Sequence, residues 1–235
     1  MDTFFQNEIV VVAFTVGVYF LAQLLQEKSK IIILNPILIT IMIIILCLTA
    51  FNIDYEVYHR GSRYIDFFLK PAVVALGVPL YKQLKKIKKQ MISIVVSQLA
   101  GCIAGVVSVV LIAKMLGASK EIIFSLAPKS VTTPIAIEVS KTIGGIPALT
   151  ASVVIVVGIF GAIFGYSIMN LMKVNNPIAQ GLSMGNAAHA VGTSKSMEIS
   201  PNFGAMSSIG LILNGIFTAI LAPYILKLME IWIEF

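Results

Sequence analysis

Six stretches of this chain are long and apolar enough to cross a lipid bilayer, and a chain with six such stretches has few ways to fold. Spanning the hydrocarbon as a helix takes about 20 residues, with a range of roughly 17–25. The stretches Ile9–Leu25, Ile31–Phe51, Tyr64–Tyr81, Met91–Met115, Pro147–Met172 and Ala205–Ile233 meet that length. Each is bounded by polar or charged residues, such as Gln26-Glu27-Lys28 and Asn52-Ile53-Asp54. The alternation expected of barrel strands is absent. Charged residues make up only 12% of the 235 positions while apolar ones make up 58%. A soluble domain carries about 25% charged residues, so no separate soluble domain is expected beside the membrane part. The acidic beginning, with Asp2 and Glu8, lacks the basic region of a signal peptide, so the first span is expected to be retained.

The net charge of +6 is concentrated in Lys82, Lys85, Lys86, Lys88 and Lys89. A short lysine-rich segment between two apolar runs is a topology signal rather than a nucleic-acid patch, and it belongs on the cytoplasmic side. Both termini then lie outside, in a bacterial cytoplasmic membrane. Cys47 and Cys102 sit inside apolar runs with no metal-ligand or disulfide spacing. No metal, no cofactor and no catalytic set is expected, and the chain reads as not an enzyme.

Two stretches break the pattern. Residues 119–145 and 176–202 each carry two short apolar arms around a polar centre broken by Gly or Pro. Arms of seven or eight residues rise about 10–12 Å, which reaches only the bilayer midplane. Two re-entrant helical hairpins are expected, giving an all-α polytopic protein of six transmembrane helices plus the hairpins. The alternative is eight complete spans. Residues 1–90 are expected to form scaffold and oligomerisation helices, with a homodimer as the expected assembly, and residues 91–235 a transport-type core.

A shift of 57 residues lays 146–165 on 203–222 with seven identities, among them Gly158 on Gly215. A hairpin plus one span is an odd number of crossings, so the second unit would be inverted. Inverted repeats whose broken helices meet near the midplane mark secondary transporters.

The first turn reads Pro128-Lys129-Ser130-Val131-Thr132-Thr133-Pro134, with Thr132 or Thr133 as the expected cap of the returning helix and Pro134 in its first turn. In the second hairpin Gly192-Thr193-Ser194 is expected to play that part before Lys195. Both returning arms would aim positive helix ends at the centre, where a carboxylate binds. Lys129 adds charge at one tip, and Asn186 and His189 add polar groups at the other. These groups either hold a small anion or simply close the hairpins. Glu138/Lys141 and Lys195/Glu198 are neutralising pairs three residues apart, read chiefly as stabilising, with Lys195 retained as a ligand candidate. His189 either couples transport to protons or only hydrogen-bonds the turn. Lys70 either snorkels outward or lines the pathway.

The blocks Leu126–Ala136, Glu138-Val139-Ser140, Gly144–Thr150, Gly181–His189, Gly192-Thr193 and Glu198-Ile199-Ser200 resemble the LrgB/CidB family of bacterial membrane proteins. Asn186 stands where threonine is commoner, and Ser194-Lys195-Ser196 where Ala-Arg-Ala is. The resemblance implies two pictures. Members are named as antiholin- or holin-like regulators of murein hydrolase activity and autolysis, acting with a small LrgA/CidA-type partner. Plant relatives resemble chloroplast glycolate/glycerate transporters, and some bacterial relatives are linked to pyruvate uptake. The hairpin chemistry points to a transporter of small monocarboxylates, coupled to H+ or Na+.

Overall fold

The computed structural model describes residues 7–29, 34, 36–65, 67, 68, 71, 78, 81, 88 and 90–232. Within them the chain is helical, with no strand among the described residues: α1 Glu8–Ser29, α2 Pro36–Ala50, α3 Tyr55–Gly61, α4 Met91–Met115, α5 Lys120–Leu126, α6 Thr133–Ile143, α7 Pro147–Leu171, α8 Pro177–Ile199 and α9 Pro201–Trp232. The helices α1, α4, α7 and α9 are each long and apolar enough to cross a membrane. The expected span over Tyr64–Tyr81, with Lys70 inside it, falls largely outside the described residues, as does most of the lysine-rich segment after it.

The chain divides into two compact units, Met1–Leu76 and Gly77–Phe235. In the first, Val11, Ile44, Leu48 and Ile53 pack together between α1, α2 and the start of α3. The Thr15 and Tyr58 hydroxyls meet at 2.9 Å. After α2 comes the short helix α3, capped by the Asp54 carboxylate accepting from the Glu56 N–H at 3.2 Å.

The second unit is built around α9. Ile94 of α4 packs with Met206 and Ile209, Cys102 meets Thr218, and Val110 and Ala113 lie in one cluster with Leu226 and Met229. Contacts that advance together along both helices make α4 parallel to α9. On α7, Gly165, Gly161 and Gly158 face Met184, Ala188 and His189 of α8 in that order. On α9, the neighbours of Gly181 and Gly185 are Met206 and then Ser207 and Leu211. The first arm of α8 therefore runs parallel to α9 and antiparallel to α7, so α7 and α9 run in opposite directions.

α5 and α6 form the first hairpin. Gly144 adopts a left-handed conformation (φ 86°) that ends α6 and turns the chain into α7, where Pro147 opens the helix. The Thr150 hydroxyl lies 2.9 Å from the Ser125 carbonyl oxygen and 2.7 Å from Ser140 Oγ, fastening both arms to α7. α8 is the second hairpin. Its backbone breaks at Ala188 (φ −118°, ψ 15°) and His189 (φ 42°, ψ −135°). A Cβ on Gly192 would sit 2.8 Å from the Met184 carbonyl oxygen, eight residues earlier, so the chain folds back on itself there. A straight helix would separate those residues by about 12 Å.

Beside its apolar clusters this unit buries many hydrogen-bonded polar side chains, and its surface is rich in apolar ones. Gln98, Ser125, Thr150, Thr193, Ser207 and Asn214 are buried, while Phe160, Ile216, Ile220 and Tyr224 are exposed. An apolar exterior over a hydrogen-bonded polar interior is what lipid as solvent selects. This is a multi-pass membrane protein.

Close packing of α8 on α9 depends on glycine. A Cβ on Gly185 would collide with the Ser207 carbonyl oxygen, whereas nothing lies within 4 Å of a Cβ on Gly105. Gly185→Ala is expected to destabilise the protein by about 1–3 kcal/mol or more, as overpacking does. Gly105→Ala is expected to be nearly neutral, and thermal unfolding in detergent measures both.

Candidate functional site

The two hairpins reach the same residue from opposite ends of α9. Hairpin one begins at Lys120, ion-paired to Glu230 near the C-terminal end of α9. Ile123 and Phe124 then pack among Leu226 and Met229. Its tip ends at Ser130, whose carbonyl oxygen accepts from Asn214 Nδ2 at 3.0 Å. Hairpin two begins beside the N-terminal end of α9, where Gly181 faces Phe203 and Met206. It climbs to Asn186, whose carbonyl oxygen accepts from the same Asn214 nitrogen at 2.8 Å. Asn214 stands 13 residues past Pro201 and 16 before Glu230. At helical rise that is about 20 Å from one end and about 24 Å from the other.

The donors of the Asn214 amide are thus fully used. Its oxygen accepts from the Thr218 hydroxyl at 3.3 Å, and Thr218 in turn lies 3.4 Å from Cys102 Sγ on α4. Asn186 turns its own amide toward α4, donating to Gln98 Oε1 at 2.8 Å and approaching the Gln98 carbonyl oxygen at 3.2 Å. Around this junction Gly101, Cys102, Gly105, Ser130, Asn186 and Thr218 enclose a void of about 10 Å³. That is room for roughly one water.

Of the residues singled out in the sequence, Ser130 and Asn186 line this junction, and Lys129 Nζ donates to Ser130 Oγ at 3.0 Å. Thr132 is the N-cap residue of α6, buried and in extended conformation, and its side chain makes no capping hydrogen bond. Thr133 opens α6 with Pro134 in the first turn, as expected.

The second turn differs from expectation. The reversal falls at Ala188–His189 rather than at Gly192-Thr193-Ser194. Thr193 lies within the returning arm, donating to the His189 carbonyl at 2.9 Å and meeting Ser207 Oγ at 2.9 Å. It satisfies a carbonyl instead of capping N–H groups. Gly192 supplies closeness to Met184, not a left-handed turn. The left-handed φ is carried by His189, a conformation that favours glycine. Its ring is held by a 2.8 Å hydrogen bond from Nε2 to the Val154 carbonyl of α7, against Gly158, where a Cβ would lie 2.6 Å from the ring. Ser194 is exposed, away from the junction. Lys195 pairs with Glu198 at 2.7 Å and Lys141 with Glu138 at 2.8 Å, both at accessible positions. Lys70 lies outside the described residues.

Asn214, Gln98 and Thr218 were not among the expected site residues. The signal for them was present: amides embedded in otherwise apolar spans require an internal partner. The offset of 57 also places Thr132 on His189 and Lys129 on Asn186, which is where the structure puts the second tip.

The profile of the LrgB-like family matches residues 15–228. The chain belongs to the LrgB-like family. It is 38% identical over 219 residues to an uncharacterised protein of Haemophilus influenzae, covering 93% of this chain and 95% of that one. It is 36% identical over 220 residues to the holin-like protein CidB of Staphylococcus epidermidis, covering 94% and 96%. It is 38% identical over 220 residues to the holin-like protein CidB of Staphylococcus aureus, with the same coverage. No solved structure matches this LrgB-like chain.

Removing the Asn214 amide leaves two buried carbonyls without a donor, at about 1–3 kcal/mol each. Asn214→Leu is expected to lower the midpoint of thermal unfolding in detergent well below the wild type. Thr218→Val, which leaves both carbonyl bonds in place, is expected to lower it much less.

Proposed function

We propose that this LrgB-like protein is a secondary transporter of small monocarboxylates of the pyruvate, lactate and glycolate class in the bacterial cytoplasmic membrane. In this reading six helices cross the bilayer and two hairpins enter it from opposite faces as an inverted repeat. Hairpin one enters from outside, hairpin two from the cytoplasm, and both termini lie outside. The observation that carries the reading is the double hydrogen bond from Asn214 to the carbonyls of Ser130 and Asn186, two tips that approach from opposite ends of one helix. Broken helices meeting near the midplane bind substrate in known transporter folds.

The substrate carboxylate would lie at the start of α6, taking the N–H groups of Thr133 and Ile135 and the Lys129 ammonium. The Thr132 side chain does not occupy those N–H groups, which leaves them to an anion at the positive end of the helix. A void of about 10 Å³ is too small for a three-carbon acid, so the tips must part for substrate to enter. Movement of the hairpin core against the first spans, driven by H+ or Na+, would expose the site to each side in turn. A homodimer would hold those first spans still. Altered autolysis would then follow from monocarboxylate flux.

A second reading follows from the names of the Staphylococcus relatives, which are holin-like. The protein would regulate murein hydrolase activity and cell lysis through a small LrgA/CidA-type membrane partner, and its hairpins would serve only assembly.

Uptake of labelled pyruvate, lactate and glycolate into proteoliposomes of the pure protein separates the two. The transporter reading predicts saturable uptake that falls about ten- to hundredfold in Lys129→Ala, the loss of one charge-assisted hydrogen bond. Lys195→Ala, at an accessible ion pair, is expected to retain uptake. Absence of saturable uptake for all three acids favours the regulator.

A further inference from the structure

A cleft of about 490 Å³ opens between α4 and the first arm of α8. Its described walls are uncharged and mixed: Ser93, Ser97 and Gln98 on α4 face Asn176, Ser183 and Asn186 at the start and along α8, with Ile94, Ile178 and Leu182 among them. Gln90, Ser93, Ser97 and Gln98 recur along one face at the start of α4, interleaved with Ile94, so the stripe of polar groups does not rest on a single residue. Such a stripe is unexpected on a helix whose remaining surface, with Ile92, Val96 and Ile103 exposed, is suited to lipid. The cleft lies at the end of the unit where α4 begins and hairpin two enters.

Gly101 and Asn186 line both this cleft and the small void beside Asn214. At the wall the two spaces share, the Asn186 amide reaches across to Gln98 at 2.8 Å. Gly101 makes room for it, since a Cβ there would come within 3.1 Å of the amide. Behind the amide stand Cys102, Thr218, Asn214 and Ser130, with the Lys129 ammonium on Ser130 Oγ.

We propose that the Gln98–Asn186 amide pair is an internal gate, shut in this structure, between an uncharged vestibule on the hairpin-two side and the junction of the hairpin tips. An amide pair suits this role. Each bond it makes can be exchanged for one to water or solute, so swinging Asn186 aside costs little compared with separating packed apolar side chains. The uncharged vestibule offers hydroxyl and amide donors that pass a small anion without trapping it. Beyond the gate stands the Lys129 ammonium. The identity of the solute as a small carboxylate rests on the transporter reading; the gate itself does not.

Cys102 lies behind the gate and serves as its reporter. In full-length protein carrying Cys47→Ala, reconstituted in sided vesicles, the Cys102 thiol is expected to resist a small membrane-impermeant anionic methanethiosulfonate. Adding Gln98→Ala, or the gentler Gln98→Asn, is expected to raise its modification rate at least tenfold, only from the face where α4 begins. Ser97→Cys, in front of the gate, is expected to react from that same face whether or not Gln98 is altered. Rates for Cys102 that stay equal in both Gln98 variants while Ser97→Cys reacts would overturn the gate, as would faster modification from the opposite face. With the gate open, protection of Cys102 by added pyruvate supports the carboxylate as solute. Lack of protection by pyruvate, lactate and glycolate would overturn that assignment while leaving the gate standing.

Discussion

One carboxamide in the middle of a long apolar helix holds the second unit together. Asn214 has two N–H bonds to give, and each goes to a backbone carbonyl at the tip of a different hairpin. Irregular backbone cannot persist at that depth unless its polar groups are satisfied internally, because lipid offers no partner. The constraint spreads outward from there. The tips must come within hydrogen-bonding distance of α9, so glycines stand where α8 and α9 touch, and α7 supplies Gly158 to admit the His189 ring. Gln98 on α4, Thr150 on α7 and Thr193 on α8 are buried among the apolar clusters, each hydrogen-bonded internally.

The pseudo-symmetry is visible in contacts as well as in sequence. Gly158 follows hairpin one and receives His189 of hairpin two, while Gly215, 57 positions later, follows hairpin two and receives Ile135 of hairpin one. Thr150 and Ser207, also 57 apart, each hydrogen-bond the hairpin that precedes them. Each half therefore packs its span against the other half's tip. A small-molecule pathway with an amide gate fits such a coupled arrangement.

Hairpin one was legible in the sequence because its turn is written in residues with one conformational meaning. Pro134 fixes the start of α6, Thr132 precedes it in extended conformation, and Gly144 ends it. α4 could be read to its end residues because a predominantly apolar run begins after the lysine-rich segment and Gln90 and ends at Lys114-Met115 before Gly117. Hairpin two was misread by three residues or more. Glycine next to threonine and serine looks like a turn, but Gly192 is small for packing, and the positive φ went to a histidine that tertiary contacts hold in place. A local propensity lost to a ring hydrogen bond with a residue 35 positions away. The partners of Asn214 and Gln98 are illegible in the sequence for the same kind of reason. A lone amide in an apolar run announces that it needs a partner, yet nothing local says which one.

The central claim is that the hairpins enter from opposite faces and return to the face they came from. Single cysteines at exposed positions flanking each hairpin, in protein lacking Cys47 and Cys102, test it directly with an impermeant thiol reagent applied to one side of the membrane at a time. The account predicts that Ser119→Cys and Thr142→Cys react from one side, and Asn175→Cys and Ile199→Cys from the other. Reaction of Ser119→Cys and Thr142→Cys from opposite sides would mean that α5 and α6 cross the membrane together, and would contradict it.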